Sequence, residues 1–302
     1  MRAFVFPGQG SQLPGMGKEL YDEFSSVREL FEEAKEVTGR NFAELCLHAD
    51  AETLSRTENT QPCMFLVSAS VLNIPQVSGK FEGVAGHSLG EYTALYAAGV
   101  LSFEDALTAV IERGRLMSQA KTGGMIAPIG ADEEIANKVA YEFSAKGVIA
   151  VANFNAPGQI VISGEESVLG DASERLLELG AKRVVRLPVS AAFHSPLMDE
   201  TREKMSALLK KIPFDEPHVH YYSNVSGARE SDPDKIRELL IDQITSPVRW
   251  IDIVKSMSAD GFDEFIEIGS GKVLQGLIKR IVSPAKLAGV SDVQTLNEFV
   301  GL

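Results

Sequence analysis

The pentapeptide Gly86-His87-Ser88-Leu89-Gly90 constrains the fold of this chain more than any other feature. It fits the pattern G-x-S-x-G, in which a serine sits on a sharp turn between a buried strand and a helix. The apolar run 81–86 predicts the strand, and the helical pattern 89–98, ended by Gly99, predicts the helix. The pattern therefore favours an α/β domain that presents Ser88 at the end of a strand. A bare match can also be a surface turn, and the two flanking elements argue against that alternative.

Strands alternate with helices through most of the chain. Apolar runs predict strands at 2–6, 81–86, 218–223, 262–268 and 286–290. Residues at helical spacing predict helices at 20–37, 62–74, 89–98, 102–120, 196–211, 234–243, 248–259 and 271–281. The last residues of the chain, after the strand 286–290, are also predicted to be helical. Such alternation is typical of a parallel sheet with helices on both faces. We expect residues 1–123 and 196–302 to form this larger α/β domain.

The stretch between these two parts has a different order of elements. Strands are predicted at 125–129, 148–153, 159–163 and 182–189, and helices at 132–146 and 167–179. This β-α-β-β-α-β order is the ferredoxin-like arrangement, completed here within about 70 residues. We therefore predict that residues 124–195 form a ferredoxin-like subdomain inserted into the larger domain.

Composition places the chain among ordinary globular proteins. Of its 302 residues, 44% are hydrophobic and 24% are charged, which excludes disordered and coiled-coil architectures. No apolar run reaches the ~20 residues that span a bilayer, and the run at 1–7 is too short for a secretory signal. Cys46 and Cys63 form neither a CxxC pair nor a disulfide framework. We expect a cytoplasmic protein that does not insert into a membrane.

The charge balance restricts the possible partners. The chain has 29 basic against 42 acidic residues, a net charge of −13, and no basic run interleaved with aromatic residues. Such a surface repels nucleic acid, so no nucleic-acid partner is expected. An anionic ligand would need a local positive site.

Three weaker patterns do not reach the standard of a binding motif. Gly8-Gln9-Gly10 follows a strand as a dinucleotide-binding loop would, but Leu13 stands where the third glycine is required. None of the Gly-Lys pairs is followed by Ser or Thr, so there is no P-loop. His218 and His220 share one face of a strand without a third ligand at metal spacing, so no metal site is predicted.

A nucleophilic serine needs a base, and histidine is the usual one. His87 is adjacent to Ser88, but neighbouring side chains diverge on a sharp turn, so we expect His87 to serve the loop. His194 lies where the chain re-enters the larger domain, and clefts form at such junctions. His194 is therefore the candidate base, although a lone hinge histidine fits its spacing equally well.

Arg113 carries information through its helical register. At about 100° per residue it shares one stripe with Ala106, Val110 and Met117, while Glu112 points away. A guanidinium on the apolar face needs an anionic partner, because an unpaired buried charge is costly. That partner is either an Asp or Glu of the same chain, which is the commoner arrangement, or the carboxylate of a substrate.

Taken together, these residues resemble the malonyl-CoA:acyl carrier protein transacylases of fatty acid synthesis. The resemblance runs over essentially the whole chain, and its motifs occur in the order and spacing of the family. Besides the pentapeptide with Glu91, they are Phe6-Pro7-Gly8-Gln9-Gly10-Ser11-Gln12, Thr60-Gln61-Pro62, Arg113-Gly114, Ala192-Phe193-His194, Pro247-Val248-Arg249-Trp250 and Glu267-Ile268-Gly269-Ser270-Gly271-Lys272-Val273-Leu274. The family's fold is a hydrolase-like α/β domain with a ferredoxin-like insert, in agreement with the order of elements above.

The resemblance implies roles for individual residues. Ser88 would be the nucleophile that takes the acyl group from a thioester, and His194 would be its general base and then acid. The backbone N–H groups of Gln9 and Leu89 would form the oxyanion hole, which stabilises the tetrahedral intermediate. Arg113 would bind the free carboxylate of malonate through a charge-assisted pair.

Further roles follow from the same resemblance. Gln61 would belong to the substrate-binding site. A backbone carbonyl in segment 247–250, placed at Arg249, would orient His194 in place of a triad aspartate, and many relatives carry glutamine at that position. Phe193 precedes the histidine, and in related polyketide acyltransferases Ala-Phe-His goes with malonyl over methylmalonyl units. A bulky ring there would leave little room for an α-methyl group.

The implied reaction is ping-pong. Malonyl-CoA acylates Ser88, CoA leaves, and the phosphopantetheine thiol of an acyl carrier protein takes up the malonyl group. No metal or bound cofactor is implied, since CoA arrives with the substrate and phosphopantetheine with the carrier. A polyketide pathway remains open as the setting. A serine thioesterase or hydrolase would use the same Ser–His pair with water, and a non-catalytic scaffold could keep the fold.

Carrier proteins of this kind are acidic, so a protein of net charge −13 would have to meet one through a local basic patch. Two clusters are candidates, Lys182, Arg183 and Arg186 on one side and Lys279, Arg280 and Lys286 on the other.

Overall fold

The computed structural model describes residues 1–120, 123–189 and 191–301. No helix among them is both long and apolar enough to cross a membrane. A 3-10 turn spans Pro196–Met198. In chain order the other elements are β1 (Arg2–Phe6), α1 (Lys18–Glu23), α2 (Ser25–Thr38), α3 (Phe42–His48), α4 (Ala51–Ser55), α5 (Thr57–Leu72), β2 (Gly83–Gly86), α6 (Gly90–Ala97), α7 (Phe103–Gln119), β3 (Gly124–Ile129), α8 (Glu133–Phe143), β4 (Ile149–Ala156), β5 (Gln159–Gly164), α9 (Glu166–Glu178), β6 (Arg183–Arg186), α10 (Asp199–Leu209), β7 (His220–Tyr222), β8 (Arg229–Glu230), α11 (Pro233–Asp242), α12 (Trp250–Ala259), β9 (Glu264–Ile268), α13 (Val273–Ile281), β10 (Lys286–Val290) and α14 (Val293–Val300).

The larger sheet has six strands in the order β10-β9-β1-β2-β7-β8. Every neighbouring pair is parallel except β7 with the short edge strand β8. Phe4 and Phe6 of β1 pack into an apolar cluster with α2 and α5, while Ala3 and Val5 pack into another with α12 and α13. Because alternate side chains of a strand point to opposite faces, helices cover both faces of this sheet, as predicted.

The smaller sheet is antiparallel and has the strand order β4-β5-β3-β6. Side chains of α8 and α9, among them Val139, Phe143 and Leu176, form an apolar core with this sheet. The strand order is that of the ferredoxin-like fold, which confirms the predicted fold class. All four strands lie within 124–195, the range predicted for the insert.

Several predicted boundaries are wrong. The predicted helix 20–37 is two helices, because the backbone of Phe24 is extended (φ −108°, ψ 125°) and separates α1 from α2. The predicted helix 62–74 begins at Thr57, so Thr60 and Pro62 lie inside α5 rather than at its start. This helix is buried almost all round, and without an amphipathic period its first turn has no clear sequence signal. The short elements α3, α4 and β8 are not predicted, because they are too short to show a hydrophobic period.

The insert meets the larger domain beside the carboxyl ends of β1 and β2. Val248, which precedes α12, donates its N–H to the carbonyl of Ala152 and accepts the N–H of Phe154, both at 2.9 Å. This parallel bridge ties β4 to the larger domain. Gln9 and His87, in the loops that follow β1 and β2, line one cavity together with Met125 of β3 and Asn153 of β4.

Candidate active site

Ser88 lies on the sharp turn between β2 and α6. Its backbone is left-handed (φ 51°), a conformation that is uncommon and strained for a residue other than glycine, and such strained residues cluster at active sites. The flanking glycines permit a close backbone approach. A Cβ on Gly86 would lie 1.9 Å from the carbonyl carbon of Gly90, and one on Gly90 would lie 2.1 Å from the carbonyl oxygen of Phe6. The turn thus depends on the missing side chain at both positions.

His194 is in position to act as the base. Its Nε2 lies 2.7 Å from the Oγ of Ser88, and its Nδ1 lies 2.8 Å from the carbonyl oxygen of Gln243. Because a carbonyl only accepts, Nδ1 carries the proton and Nε2 is free to take one from the hydroxyl. Burial and the positive charge of Arg113 lower the pKa of His194 to about 3. The imidazole is therefore neutral, as a base requires.

The carbonyl that orients His194 belongs to Gln243 and not to Arg249, so that prediction is wrong. The carbonyl of Arg249 instead accepts the N–H of Ile253 in the first turn of α12 (3.0 Å), and its guanidinium pairs with Asp252 (2.7 Å). Gln243 directly follows α11, and the last carbonyls of a helix have no intrahelical donor. Its carbonyl is for that reason free to accept from His194.

The guanidinium of Arg113 is buried (1% exposed) and faces the catalytic pair. Nη1 donates to Oε1 of Gln61 (2.8 Å), and Nη2 donates to Oγ of Ser88 and Oε1 of Gln243 (3.0 Å each). Nε has no acceptor, and Arg113 forms no ion pair with a carboxylate within the described ranges. Burial lowers the pKa of this guanidinium. The charge of Glu91 acts on this guanidinium and raises its pKa, but the side-chain amide of Gln243 lies between the two groups. Because no carboxylate of the described residues pairs with Arg113 directly, the substrate carboxylate is the remaining candidate of the two partners that the sequence left open.

A cavity of about 120 Å³ lies between these groups. Gln61 does not line it; this residue is fully buried, accepts from Arg113 and contacts the Sδ of Met117 (3.3 Å). Gln61 thus contacts the arginine that faces the cavity, and its own contact with substrate stays a prediction. The walls combine a few polar groups with apolar side chains, which suits a small acyl group with one charged end. They are formed by Gln9, His87, Ser88, Arg113, Met117, Met125, Asn153, Leu187, Val189, Phe193 and His194.

The backbone N–H groups of Gln9 and Leu89 remain candidates for the oxyanion hole. Leu89 directly precedes α6, and the first N–H groups of a helix have no intrahelical acceptor. Over the residues that the structure describes, neither N–H donates to a protein acceptor. The side chain of Gln9 donates to Oγ1 of Thr57 (3.2 Å). Their role toward an oxyanion stays a prediction.

Three buried polar residues that the motifs do not assign support the turn at Ser88. Asn224 accepts the N–H of Ser88 (2.7 Å) and donates from its amide to the carbonyl of Gly86 (2.6 Å). Gln243 donates from Nε2 to the carbonyl of Ser88 (2.8 Å). Glu91 accepts from both of these residues. Glu91 follows the pentapeptide directly and could have been found there, whereas Asn224 and Gln243 belong to no sequence motif.

His87 contacts the insert. Its Nε2 lies 2.7 Å from Oδ1 of Asn155 in β4, and its ring packs edge-on against Trp250. This placement agrees with the expected role in the loop rather than in proton transfer. Across residues 1–120, 123–189 and 191–301, no three His, Cys, Asp or Glu side chains are grouped so that they could hold a metal ion.

Comparison with known proteins gives a consistent result. The acyl transferase domain family model matches residues 3–296. The chain is 43% identical over 300 residues to the malonyl CoA-acyl carrier protein transacylase of Bacillus subtilis (strain 168). The aligned region covers 98% of this chain and 95% of that protein. The chain is similar to an acyl carrier protein S-malonyltransferase from Vibrio cholerae, with a TM-score of 0.95, 40% identity, and 98% of this chain and 99% of that chain covered. It is also similar to a malonyl-transacylase in complex with its type II PKS acyl carrier protein, with a TM-score of 0.95, 37% identity and 99% of each chain covered.

Proposed function

The chain belongs to the acyl transferase domain family, and on that premise we propose that it transfers a malonyl group from malonyl-CoA to the phosphopantetheine thiol of an acyl carrier protein. The observation that carries the substrate assignment is Arg113. Its buried guanidinium lies 3.0 Å from the Oγ of Ser88, and no residue that the structure describes accepts a hydrogen bond from its Nε. The relatives' names indicate the same acyl group and the same acceptor.

Acylation of Ser88 is the first half of the reaction. His194 accepts the hydroxyl proton at Nε2, and Oγ attacks the thioester carbonyl of malonyl-CoA. The tetrahedral intermediate collapses as the carbon–sulfur bond breaks, and His194 returns the proton to the departing CoA sulfur. The products are the malonyl ester of Ser88 and free CoA. Burial and the charge of Arg113 lower the pKa of His194, so the ring is neutral at neutral pH and its Nε2 has a free lone pair for the hydroxyl proton.

Deacylation repeats the same steps with a different thiol. The phosphopantetheine thiol gives its proton to Nε2 of His194 and attacks the ester carbonyl. The bond between that carbon and Oγ of Ser88 breaks, and His194 gives the proton back to Oγ. The malonyl group leaves on the carrier and the enzyme is restored. The N–H groups of Gln9 and Leu89 would hold the oxyanion in both halves, a contribution of about 3 kcal/mol per donor in comparable sites.

Arg113 selects the acyl group. A guanidinium has five N–H donors, and three of those of Arg113 already reach protein acceptors. Nε has no acceptor among the described residues, and the guanidinium lines the cavity beside Ser88, where a malonate carboxylate would form a charge-assisted pair with it. An acetyl group would leave the buried charge unpaired, which is penalised. Phe193 forms part of the cavity wall, and we propose that it restricts the space at the α-carbon.

We place the reaction in fatty acid synthesis and in the cytoplasm, where Cys46 and Cys63 would remain the free thiols seen here. The similarity to a transacylase of a type II PKS carrier keeps polyketide synthesis as the second setting. No bound cofactor is proposed, because the two half-reactions balance without electrons or a metal. Relative transfer rates to a fatty acid carrier and a polyketide carrier would distinguish the two settings.

The test is the time course of CoA release from malonyl-CoA. We expect a burst of roughly one equivalent per enzyme that stalls until carrier protein is added, because the malonyl ester accumulates. Mass spectrometry should find the malonyl adduct on the wild type and not on the Ser88→Ala variant. The turnover of this variant should fall on the order of a million-fold.

Ser70→Ala provides a matched control, since among the described residues the one hydrogen bond of this buried hydroxyl goes to the carbonyl of Val67 within α5. It should form the adduct as the wild type does. Continuous release of CoA in the absence of carrier protein would identify a hydrolase. A malonyl adduct on Ser88→Ala would refute the assignment of Ser88 as the nucleophile.

A further inference from the structure

Glu91 contacts both Asn224 and Gln243, the two residues whose side chains bind the backbone of Ser88. It is fully buried in the first turn of α6. Its Oε1 accepts hydrogen bonds from the hydroxyl of Tyr221 (2.5 Å) and the N–H of Asn224 (2.8 Å), and its Oε2 accepts from Nε2 of Gln243 (2.5 Å). A buried carboxylate is costly unless its oxygens are hydrogen-bonded. These donors therefore hold Glu91 in place, and Glu91 in turn holds the groups that donate.

The side-chain amide of Gln243 has its orientation set from two sides. Its Oε1 faces Nη2 of Arg113, and a guanidinium can only donate. Its Nε2 must then face acceptors, which are Oε2 of Glu91 and the carbonyl of Ser88. The main-chain carbonyl of the same residue holds His194. Gln243 therefore contacts Glu91, the carboxylate-binding Arg113 and the base His194, and a substitution of Glu91 that moves Gln243 would also move these two groups.

Asn224 is the second connection. Its N–H is bound by Glu91, and its side-chain amide bridges the N–H of Ser88 and the carbonyl of Gly86. These two backbone groups lie on either side of His87, directly before the left-handed backbone of Ser88. The position of Glu91 therefore determines where the backbone of the nucleophile is held.

We propose that Glu91 is a positioning residue that sets Arg113 through Gln243 and the Ser88 turn through Asn224, and that it thereby supports the preference for a carboxylated acyl group. Glu91 does not touch the reacting atoms. The inference rests on the proposed function, since it concerns the choice between malonyl and acetyl thioesters.

Glu91→Gln tests the proposal with nearly unchanged volume. The donors Tyr221 and Asn224 keep an oxygen at the Oε1 position, so the new NH₂ group faces Nε2 of Gln243 and two donors oppose each other. Gln243 then loses its contact with either position 91 or Arg113. We expect kcat/KM for malonyl-CoA to fall by about ten- to a hundred-fold. Acetyl-CoA does not use the arginine, so the malonyl-to-acetyl ratio of kcat/KM should fall by about tenfold.

Glu267→Gln is the matched control. Glu267 is also buried (1% exposed), and its carboxylate accepts the N–H groups of Leu274 and Gln275 at the start of α13. It can lower the melting temperature as much as the test variant, but it should keep the malonyl-to-acetyl ratio of the wild type.

Glu91→Asp provides a second test that keeps the charge and withdraws the carboxylate by one methylene. The ratio should fall in this variant as well. Folded Glu91 variants with the wild-type ratio would overturn the inference. A wild-type protein that transfers no malonyl group would instead overturn the proposed function.

Discussion

Arg113 is a buried positive charge beside a histidine that must stay neutral. Arg113→Ala should lower kcat/KM for malonyl-CoA by about a hundred-fold or more, while acetyl transfer holds or rises, because the attraction and the unpaired charge are both removed. Steady-state kinetics with both thioesters measure the effect. Arg115→Ala is the control, since that exposed guanidinium of α7 pairs with Glu112. If Arg113→Ala preferred malonyl as strongly as the parent, the carboxylate would be bound elsewhere.

Arg113→Ala should also change the pKa of His194. Burial and the Arg113 charge hold the pKa of His194 at about 3, below its ordinary value of 6.5. Without the arginine the pKa of His194 should rise, so the acidic limb of kcat/KM for acetyl-CoA should move to higher pH. An unmoved limb would show that burial alone sets this pKa. Because the unfolded chain protonates this ring near pH 6.5 and the folded chain near 3, the group makes folding less favourable as the pH falls through that window.

At the scale of elements, the packing of α6 against β1 depends on Gly90. Replacing a helical glycine by alanine usually stabilises a helix by about 0.5–1 kcal/mol. Here the added Cβ would lie 2.1 Å from the carbonyl oxygen of Phe6, so the helix and the Ser88 turn must shift. We expect Gly90→Ala to lower the free energy of unfolding by about 1–3 kcal/mol and to reduce malonyl transfer.

Gly276→Ala in α13 is the matched control, because apart from the neighbouring backbone of α13 no atom of the described residues lies within 4 Å of the added Cβ. This variant should gain about 0.5–1 kcal/mol. Denaturant unfolding measures both proteins, and equal stability of the two variants would contradict the packing argument.

At the scale of the whole molecule, a net charge of −13 must be reconciled with an acidic carrier. The β6 cluster (Lys182, Arg183 and Arg186) is exposed on an edge strand, and the chain after it continues into Leu187 and Val189 of the cavity wall. Arg186 of this cluster pairs with Glu166. The α13 cluster (Lys279, Arg280 and Lys286) is also exposed, and it does not line that cavity. The β6 cluster is therefore the better placed of the two for a carrier whose arm must enter the cavity.

Charge reversal tests this choice. Lys182→Glu with Arg183→Glu should raise the KM for carrier protein about tenfold at low ionic strength, and the effect should shrink as salt screens the charges. Lys279→Glu with Arg280→Glu is the control and should change this KM little. A larger rise from the α13 variant would transfer the docking surface to that side.

The sequence by itself determined those features whose cause lies in neighbouring residues. The apolar run at 2–6 specifies β1, and the close approach at Gly86 and Gly90 is a local steric requirement. The 3.6-residue period places Arg113 on the buried stripe of α7. The nucleophile, the insert and the buried arginine could all be predicted for this reason. The family resemblance then added the pairing of Ser88 with His194.

Only the tertiary structure decided which distant groups meet. The carbonyl that holds His194 comes from Gln243, 49 positions along the chain, and Glu91 meets the N–H of Asn224 across 133 positions. Arg249 was the wrong choice because the end of α11, rather than any motif, determines which carbonyl is left without a donor. Such partners depend on where helices end and how loops cross the sheet. Those paths are set by the packing of the whole chain, and no local pattern of residues records them.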